Sequence, residues 1–408
     1  MPRPATRPHP HARRASAFAL LLALLPALTI ASQPRDAPAA VDALDQQIAT
    51  RMQEGGMVGM AAMIVIDGQV RWTGSHGWAD RERGIAFTPD TVMNIASISK
   101  TVTGAAMMRA VEDGLLELDR DINAYLPFAV TNPAFPDVPI TLRQLATHTS
   151  SLEDRGDAYA TGYHYGGDSP VTLAAFLADY FDATTGADPA RNFAPHAPGT
   201  HHAYSNIGAA LAGYIVERAT GEPLPDYTRR VLFAPLGMDS TVWRLADVPP
   251  ERQARLYVRQ MGLAIPLPWY GLATYPDGGV RSSVNDLGRF FLALLGGGAH
   301  DGRRILGEAS AREMLRLQFD AAHHPANLDP ASRNSGLFWS TKLGATLVGH
   351  GGSDPGLKTE MLFDPAEGVG IVLFTNTSVC SDGMKPFVDL LGDLRSYARS
   401  LKGTPPVQ

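Results

Sequence analysis

Three short clusters in this chain carry side chains able to do covalent chemistry. Ser97-Ile98-Ser99-Lys100 sets a hydroxyl and an amine three residues apart, which on a helix is one turn along one face. A serine at a helix start can attack a carbonyl while the helix amino terminus, with its free N–H groups and dipole, favours the oxyanion. A lysine acts as base in such a pair only where burial or a neighbouring cation leaves part of it as neutral amine. By itself the tetrad also fits a helix cap followed by a solvated lysine. Two further clusters change the weighing. Tyr204-Ser205-Asn206 is the one Tyr-x-Asn among twelve tyrosines; its phenol can relay a proton and its amide can hold polar groups of a substrate. His350-Gly351-Gly352 has a strand behind it, and its two glycines let a substrate backbone come close. Of the 35 basic residues only Lys100, Lys342, Lys358, Lys385 and Lys402 are lysine, so 30 are arginine and a lysine at a motif position is a less ordinary accident.

The elements that must position these clusters can be read from periodicity and turn chemistry. The apolar run Met60–Ile66, the pair Asp67-Gly68 and then Val70-Arg71-Trp72 predict a hairpin. Small or apolar residues at Val102, Ala105, Ala106 and Val111 recur at helical spacing up to Gly114, which puts Ser97 at or near a helix start. The middle of the chain reads as helices at Thr141–Thr147, Thr172–Tyr180, Asn206–Thr220 and Leu224–Phe233, with a capping box from Thr141 to Gln144 and a stop at Gly221. Segments Arg155–Gly167 and Ile265–Tyr275 read as loops, and their Tyr159, Tyr163, Tyr165, Trp269 and Tyr270 could as well wall a substrate as pack among themselves. Strand patterns return at Gly336–Lys342, Thr346–Val348, Thr359–Phe363 and Val369–Phe374, followed by a helix over Met384–Ser400. Strands at both ends with helices between them predict a mixed α/β (α+β) domain built from residues 40–105 and 275–402, carrying a mostly helical domain over 106–274, with a cleft between the two.

Composition narrows the partners. The 408 residues are 45% hydrophobic and 19% charged, an ordinary globular composition with no charge block or repeat. A net charge of −6 excludes a nucleic-acid binder of the usual basic kind and leaves a small-molecule or peptide substrate. The first 31 residues read as a signal peptide: Arg3, Arg7, Arg13 and Arg14 precede an uncharged run, with cleavage expected after Ala31. The mature chain is then expected in the periplasm or secreted, with no membrane span. Cys380 is the single cysteine, so no intrachain disulfide forms.

With these flanks the chain resembles the serine β-lactamase and penicillin-binding-protein superfamily, in its class C-like branch of esterases and D-amino-acid peptidases. The resemblance runs from about Val58 to Asn376. It rests on Ala96-Ser97-Ile98-Ser99-Lys100-Thr101, on Thr141 through Ser150, on Pro198-Gly199-Thr200 ahead of Tyr204-Ser205-Asn206, on Asp277 through Ser283, and on His350-Gly351-Gly352. It implies an antiparallel sheet flanked by helices with an inserted helical domain. It further implies Ser97 as acyl-enzyme nucleophile, Lys100 as its activating partner and Tyr204 as general base or proton shuttle. Asn206 would bind the substrate amide, His350 and Gly352 would flank the cleft, and the backbone N–H groups of Ser97 and Ser353 would form the oxyanion hole. No cofactor and no metal are implied.

Two departures stand out. His350-Gly351-Gly352 replaces the Lys-Thr-Gly of β-lactamases and D-alanyl-D-alanine carboxypeptidases, so a titratable imidazole stands where a fixed cation would receive a substrate carboxylate. Ser150-Ser151-Leu152 stands where the family has Ser-Gly-Leu. The expected activity is hydrolysis of an ester or of a peptide-like amide through a Ser97 acyl-enzyme. Acylation without turnover, as in a penicillin-recognising cell-wall-binding protein, and transfer to an acceptor other than water are the competing readings. Rival sites are poorly supported. A Gly-x-Ser-x-Gly elbow, a His-Glu-x-x-His pair and a Gly-x-Gly-x-x-Gly loop are all absent, and His201-His202 and His323-His324 lack metal-ligand spacing.

Overall fold

Residues Met60 to Ile66 alternate between two buried faces, and that alternation organises the molecule. In the computed structural model, which describes residues 37–181, 189–379 and 381–402, this run lies in strand β1 (Gly59–Ile66). Met60, Ala62, Ile64 and Ile66 point into one apolar cluster, while Ala61, Met63 and Val65 point into another. A strand buried on both faces reads as a near-continuous apolar run, which is why no polar residue interrupts it. The expected signal peptide, residues 1–31, and Cys380 lie outside the described residues.

β1 is paired antiparallel with β2 (Gln69–Asp80) across Asp67 and Gly68, both with positive φ (49° and 77°), as a two-residue primed turn requires. β2 continues to the short β3 (Ile85–Ala86). The other strands come from the far end of the chain: β4 (Ser340–Lys342), β5 (Leu347–Asp354), β6 (Leu357–Asp364) and β7 (Val369–Thr375). The order across the sheet is β4-β5-β6-β7-β1-β2-β3, antiparallel at each pairing, and β7 meets β1 in the register Met60 to Thr375 through Ile66 to Val369. From Asp42 onward the described residues form one compact unit.

One face of the sheet is covered by helices Ala37–Gly55 and Ser381–Leu401 through Leu44, Ile48, Met52, Phe387, Leu390 and Leu394. The first of these helices is not among the elements expected from the sequence. Its buried positions Leu44, Ile48 and Met52 follow a four-residue spacing diluted by Ala, Gln and Asp, and docking on the sheet supplies what propensity does not. Truncating a fully buried residue such as Ile48 to Ala would cost ~2–5 kcal/mol. The larger cluster on the other face joins helices Ser99–Glu112, Leu173–Phe181, Asn206–Thr220 and Val284–Leu295.

The segments expected as loops hold a helical turn at Gly156–Ala160 and strands at Tyr163–Tyr165, Leu263–Leu267 and Tyr270–Leu272, and two of the expected regular elements differ as well. The strand expected over Gly336–Lys342 is reduced to Ser340–Lys342, because Leu337, Phe338 and Trp339 spend their apolar surface in the core and Phe338 turns through φ 56°. The helix expected over Leu224–Phe233 is α-helical only for Leu224–Thr228, after which Arg229–Phe233 widens into a π turn.

Candidate active site

Ser97 is the middle residue of a 3-10 turn, Ala96–Ile98, that runs directly into the helix Ser99–Glu112. The turn starts from an unusual backbone: Ala96 has φ 47°, a left-handed conformation costing a side-chain-bearing residue ~1–2 kcal/mol. It is held there by a hydrogen bond from its N–H to Asn94 Oδ1 at 2.6 Å. One turn on, Lys100 is fully buried, and its ammonium reaches three acceptors: Ser97 Oγ at 3.2 Å, Asn206 Oδ1 at 2.7 Å and the main-chain oxygen of Asp277 at 2.7 Å. Each of the three N–H bonds of the amine therefore has a partner, which is the condition for burying it. The segment carrying Asp277 is tied to the same helix by Thr103 Oγ1 donating to Pro276 O and Val280 N donating to Ser99 Oγ.

Asn206 opens the helix Asn206–Thr220, capped by Ser205 Oγ, which accepts from Gly208 N at 2.9 Å. A carboxylate that sequence reasoning did not single out holds this corner. Asp154 accepts from the main-chain N–H of Asn206 (2.8 Å) and of Ile207 (3.0 Å), from Ser205 Oγ (2.9 Å) and from the Asn206 amide (2.9 Å). An acid at a helix amino terminus is favoured by the dipole as well as by the free N–H groups. Asp154 lies 52 residues from Asn206, so no local spacing could reveal the cap. His148 braces the same corner: its Nδ1 accepts from Ser205 N at 3.2 Å, and its ring lies 4.4 Å from that of Tyr204. Tyr204 itself is 44% exposed, and the Lys100 ammonium sits over its ring, 5.0 Å from the centroid.

The third cluster lies on β5. Gly352 lies between Gly351 and Ser353, which line the cavity, and itself faces the Ala96–Ile98 turn. A Cβ there would collide with Ile95 O and Thr359 Oγ1 and would approach Ala96 Cβ to 3.1 Å. The missing side chain thus lets β5 and the turn bearing Ser97 come together, and Thr359 Oγ1 closes the contact by donating to Ile95 O at 2.9 Å. His350 lies two residues earlier on the same strand and lines the cavity. The imidazole is 5% exposed, and its burial beside Lys100 and Lys342 pushes it down to about 3, so near neutrality it carries no charge. Its Nδ1 donates to Gly351 O at 2.7 Å, leaving Nε2 as an acceptor.

Ser97, Tyr204, Asn206, His350 and Ser353 line one cavity of about 300 Å³. Tyr159, Tyr163, Asp277 and Asp354 form another part of its wall. Both aromatic loops contribute, because Tyr163–Tyr165 and Tyr270–Leu272 pair as a two-stranded ribbon. Tyr159 donates its hydroxyl to Asp277 Oδ1 at 3.0 Å and Tyr163 donates to Asp354 Oδ1 at 2.7 Å. Burial raises both carboxyls, Asp277 to about 7 and Asp354 to about 6, although Lys100 opposes the shift in each. A second cavity, lined by His148, His202, Arg333 and Trp339, shares Tyr204, Lys342 and His350 with the first. Between them the groups offer a hydroxyl next to an amine at a helix start, a neighbouring phenol, and a strand edge, which is the equipment of acyl transfer.

Comparison with known proteins agrees with this fold. The chain is similar to penicillin-binding protein 4 of Amycolatopsis lactamdurans, 29% identical over 86% of this chain and 89% of that protein. It is similar also to esterase EstB of Burkholderia gladioli, 31% identical over 84% of this chain and 92% of that one. Among solved structures, the octameric penicillin-binding protein homologue from Pyrococcus abyssi superimposes with a TM-score of 0.71 at 26% identity, covering 86% of this chain and 77% of that one. Residues 44–387 match the family model described as Beta-lactamase, and the chain therefore belongs to the β-lactamase family of serine hydrolases.

Proposed function

We propose that Ser97 is the nucleophile of a two-step hydrolase that cleaves an ester or a peptide-like amide. The observation that carries this reading is the 3.2 Å contact between Lys100 Nζ and Ser97 Oγ, with the amine held by two further acceptors so that it can point nowhere else. In the first step Lys100 reacts as the neutral amine, its two N–H bonds on Asn206 Oδ1 and Asp277 O and its lone pair toward Ser97 Oγ; Ser97 Oγ attacks the carbonyl carbon, its proton passes to Lys100, and Tyr204 takes a proton from Lys100 as it gives up its own. The carbonyl oxygen takes up negative charge against the N–H groups of Ser97 and Ser353. The carbon-to-leaving-group bond then breaks, with Tyr204 returning the proton to the departing oxygen or nitrogen, and water releases the acyl group from Ser97 by the same route in reverse. Asn206 serves twice, orienting Lys100 through its oxygen and offering polar contact to the substrate. An ester or peptide-like substrate is favoured over a β-lactam because the neutral His350 stands where a fixed cation would receive the lactam's carboxylate.

Residues 1–31 fit a cleaved export signal, and among the described residues no helix is long and apolar enough to cross a membrane. The reading is tested by intact-mass labelling with a fluorophosphonate: one adduct is expected on the wild type and none on Ser97→Ala. An equal adduct on both proteins would overturn it.

A further inference from the structure

A further cavity, of about 260 Å³, shares no lining residue with the one around Ser97. Its apolar wall includes Val171, Leu173, Pro225, Leu272, Trp243 and Tyr275, and the last two rings meet edge to face with centroids 5.7 Å apart. Two opposite charges face it from different elements: Glu217 from the helix Asn206–Thr220, and Arg244 from the residue just before the 3-10 turn Leu245–Asp247.

Neither charge is spent within the protein. The Glu217 carboxyl accepts from Leu224 N at 2.8 Å and from the Tyr275 hydroxyl, both through Oε1. Among the described residues Oε2 takes no hydrogen bond, and it is not one of the polar atoms sealed from solvent. Arg244 is exposed and makes no ion pair among the described residues. Burial pushes the Glu217 carboxyl up, and the Arg244 guanidinium opposes that shift without coming close enough to form a salt bridge. A carboxylate oxygen and a guanidinium thus stand apart in one cavity, each with bonding capacity left over. Asp168, the other acid in the wall, is already satisfied by Leu245 N at 2.7 Å and Ala246 N at 3.0 Å. Those bonds pin the loop before the helix Leu173–Phe181 to the turn that follows Arg244, so the cavity is formed before any ligand arrives.

We infer that this cavity binds a small zwitterion of the size of a single amino acid, with its ammonium at Glu217 and its carboxylate at Arg244. Its apolar body lies against Trp243 and Tyr275. An ammonium donates to Oε2 while Tyr275 keeps Oε1, and a guanidinium takes a carboxylate in two parallel bonds. A ligand with one charge only would desolvate the other wall group and give it nothing in return. The bound zwitterion also regulates Ser97, because the wall of its cavity continues into the other. Tyr275 begins the 3-10 turn Tyr275–Asp277, whose far end supplies the carbonyl that accepts from Lys100 at 2.7 Å. Leu272 pairs with Tyr163, which lines the cavity around Ser97. The site itself does not depend on Ser97 being the nucleophile; its regulatory effect rests on that reading.

The test titrates each enantiomer of leucine into the protein by calorimetry, beside isoamylamine and 4-methylpentanoic acid, which keep the apolar body and lack the carboxylate and the ammonium respectively. At least one enantiomer should bind at least about ten-fold more tightly than either analogue, a comparison that needs no variant to fold. Glu217→Gln and Arg244→Ala should each remove that advantage, and Arg244 is exposed, so its loss leaves the core intact. Leucine should bind equally well to protein whose Ser97 is blocked by fluorophosphonate, and at saturation it should change the labelling rate of free protein by about two-fold or more. No binding of either enantiomer up to about 10 mM, equal affinity for a singly charged analogue, an advantage that survives both substitutions, or loss of binding on the blocked protein would each overturn the site. Binding with an unchanged labelling rate would overturn the regulation. Labelling that survives Ser97→Ala would sink the nucleophile reading and leave the zwitterion site standing.

Discussion

Lys100 and Asn206 lock each other in place: Asn206 Oδ1 accepts from the Lys100 amine at 2.7 Å, while the nitrogen of the same amide donates to Asp154 at 2.9 Å. The two ends of one amide are thus assigned by their partners, and Asp154 becomes a positioning residue for the amine beside Ser97. Asp154→Ala should lower stability by ~1–2 kcal/mol through the lost helix cap. It should also slow fluorophosphonate labelling of Ser97 by about ten-fold or more, because an amine freed to turn no longer faces the hydroxyl. Urea melts and labelling rates check both effects. A variant that loses stability yet labels at the wild-type rate would show that the cap does not reach the amine.

Gly352 offers a second check, on packing alone. Gly352→Ala would push a methyl group into Ile95 O, Thr359 Oγ1 and Ala96 Cβ, so either β5 or the Ala96–Ile98 turn must move. Overpacking of this kind costs ~1–3 kcal/mol. A lowered Tm accompanied by slower labelling is expected; a Tm within one degree of the wild type would mean that the approach is looser than the contacts indicate.

Ser151 is a position where the chain carries the wrong residue for its backbone. Its φ of 64° is left-handed, and Asn132 Nδ2 steadies it with a hydrogen bond to Ser151 Oγ at 3.1 Å. Because Asn132 Nδ2 also donates to Ala194 O and His196 O, Ser151→Gly should lose little and gain ~0.5–1 kcal/mol. Differential scanning calorimetry should show a small rise in Tm, and a fall would mean that the serine hydroxyl outweighs the strain.

Acid should unfold this protein partly through His350. Its folded value of about 3 lies below the ordinary 6.5, so between those limits the unfolded chain binds a proton that the folded chain refuses. Stability from this group is therefore intact above about pH 6.5 and is lost as pH falls toward 3, at up to ~1.4 kcal/mol per pH unit for one proton. His148, also buried and held well below its ordinary value, acts in the same direction. Asp277 acts oppositely, since a carboxyl raised to about 7 from 3.8 favours the folded state less as pH climbs between those values. Urea midpoints at pH 7, 5 and 4 should fall less steeply for His350→Asn than for the wild type; parallel slopes would assign the acid sensitivity to other groups.

What could be read from sequence was whatever lies close along the chain. The Asp67-Gly68 turn, the reciprocal capping box of Thr141 and Gln144, and the left-handed stop at Gly221 are all set by a few adjacent residues, and all are present. The helix Ala37–Gly55 escaped because its apolar stripe is thin and is completed by the sheet. Pairings over long separations escaped as well. Tyr159 and Tyr163 could be named as an aromatic wall, but their carboxylate partners lie 118 and 191 residues further on, and no spacing rule joins them. The charge state of His350 could not be read for a related reason: titration depends on burial, which the residue type does not disclose.

The pairing of β1 with β7 carries a consequence for the order of events during synthesis. Ser97 leaves the ribosome early, yet the strand that shelters β1 on its open side, and the β5 edge that completes the cavity, are made from residues 347–375. Until those last strands arrive, the serine has its lysine neighbour in sequence but neither His350 nor Ser353 beside it. The hydroxyl proposed as nucleophile thus gains its surroundings near the end of chain growth, which spares a nascent polypeptide from carrying it in working form.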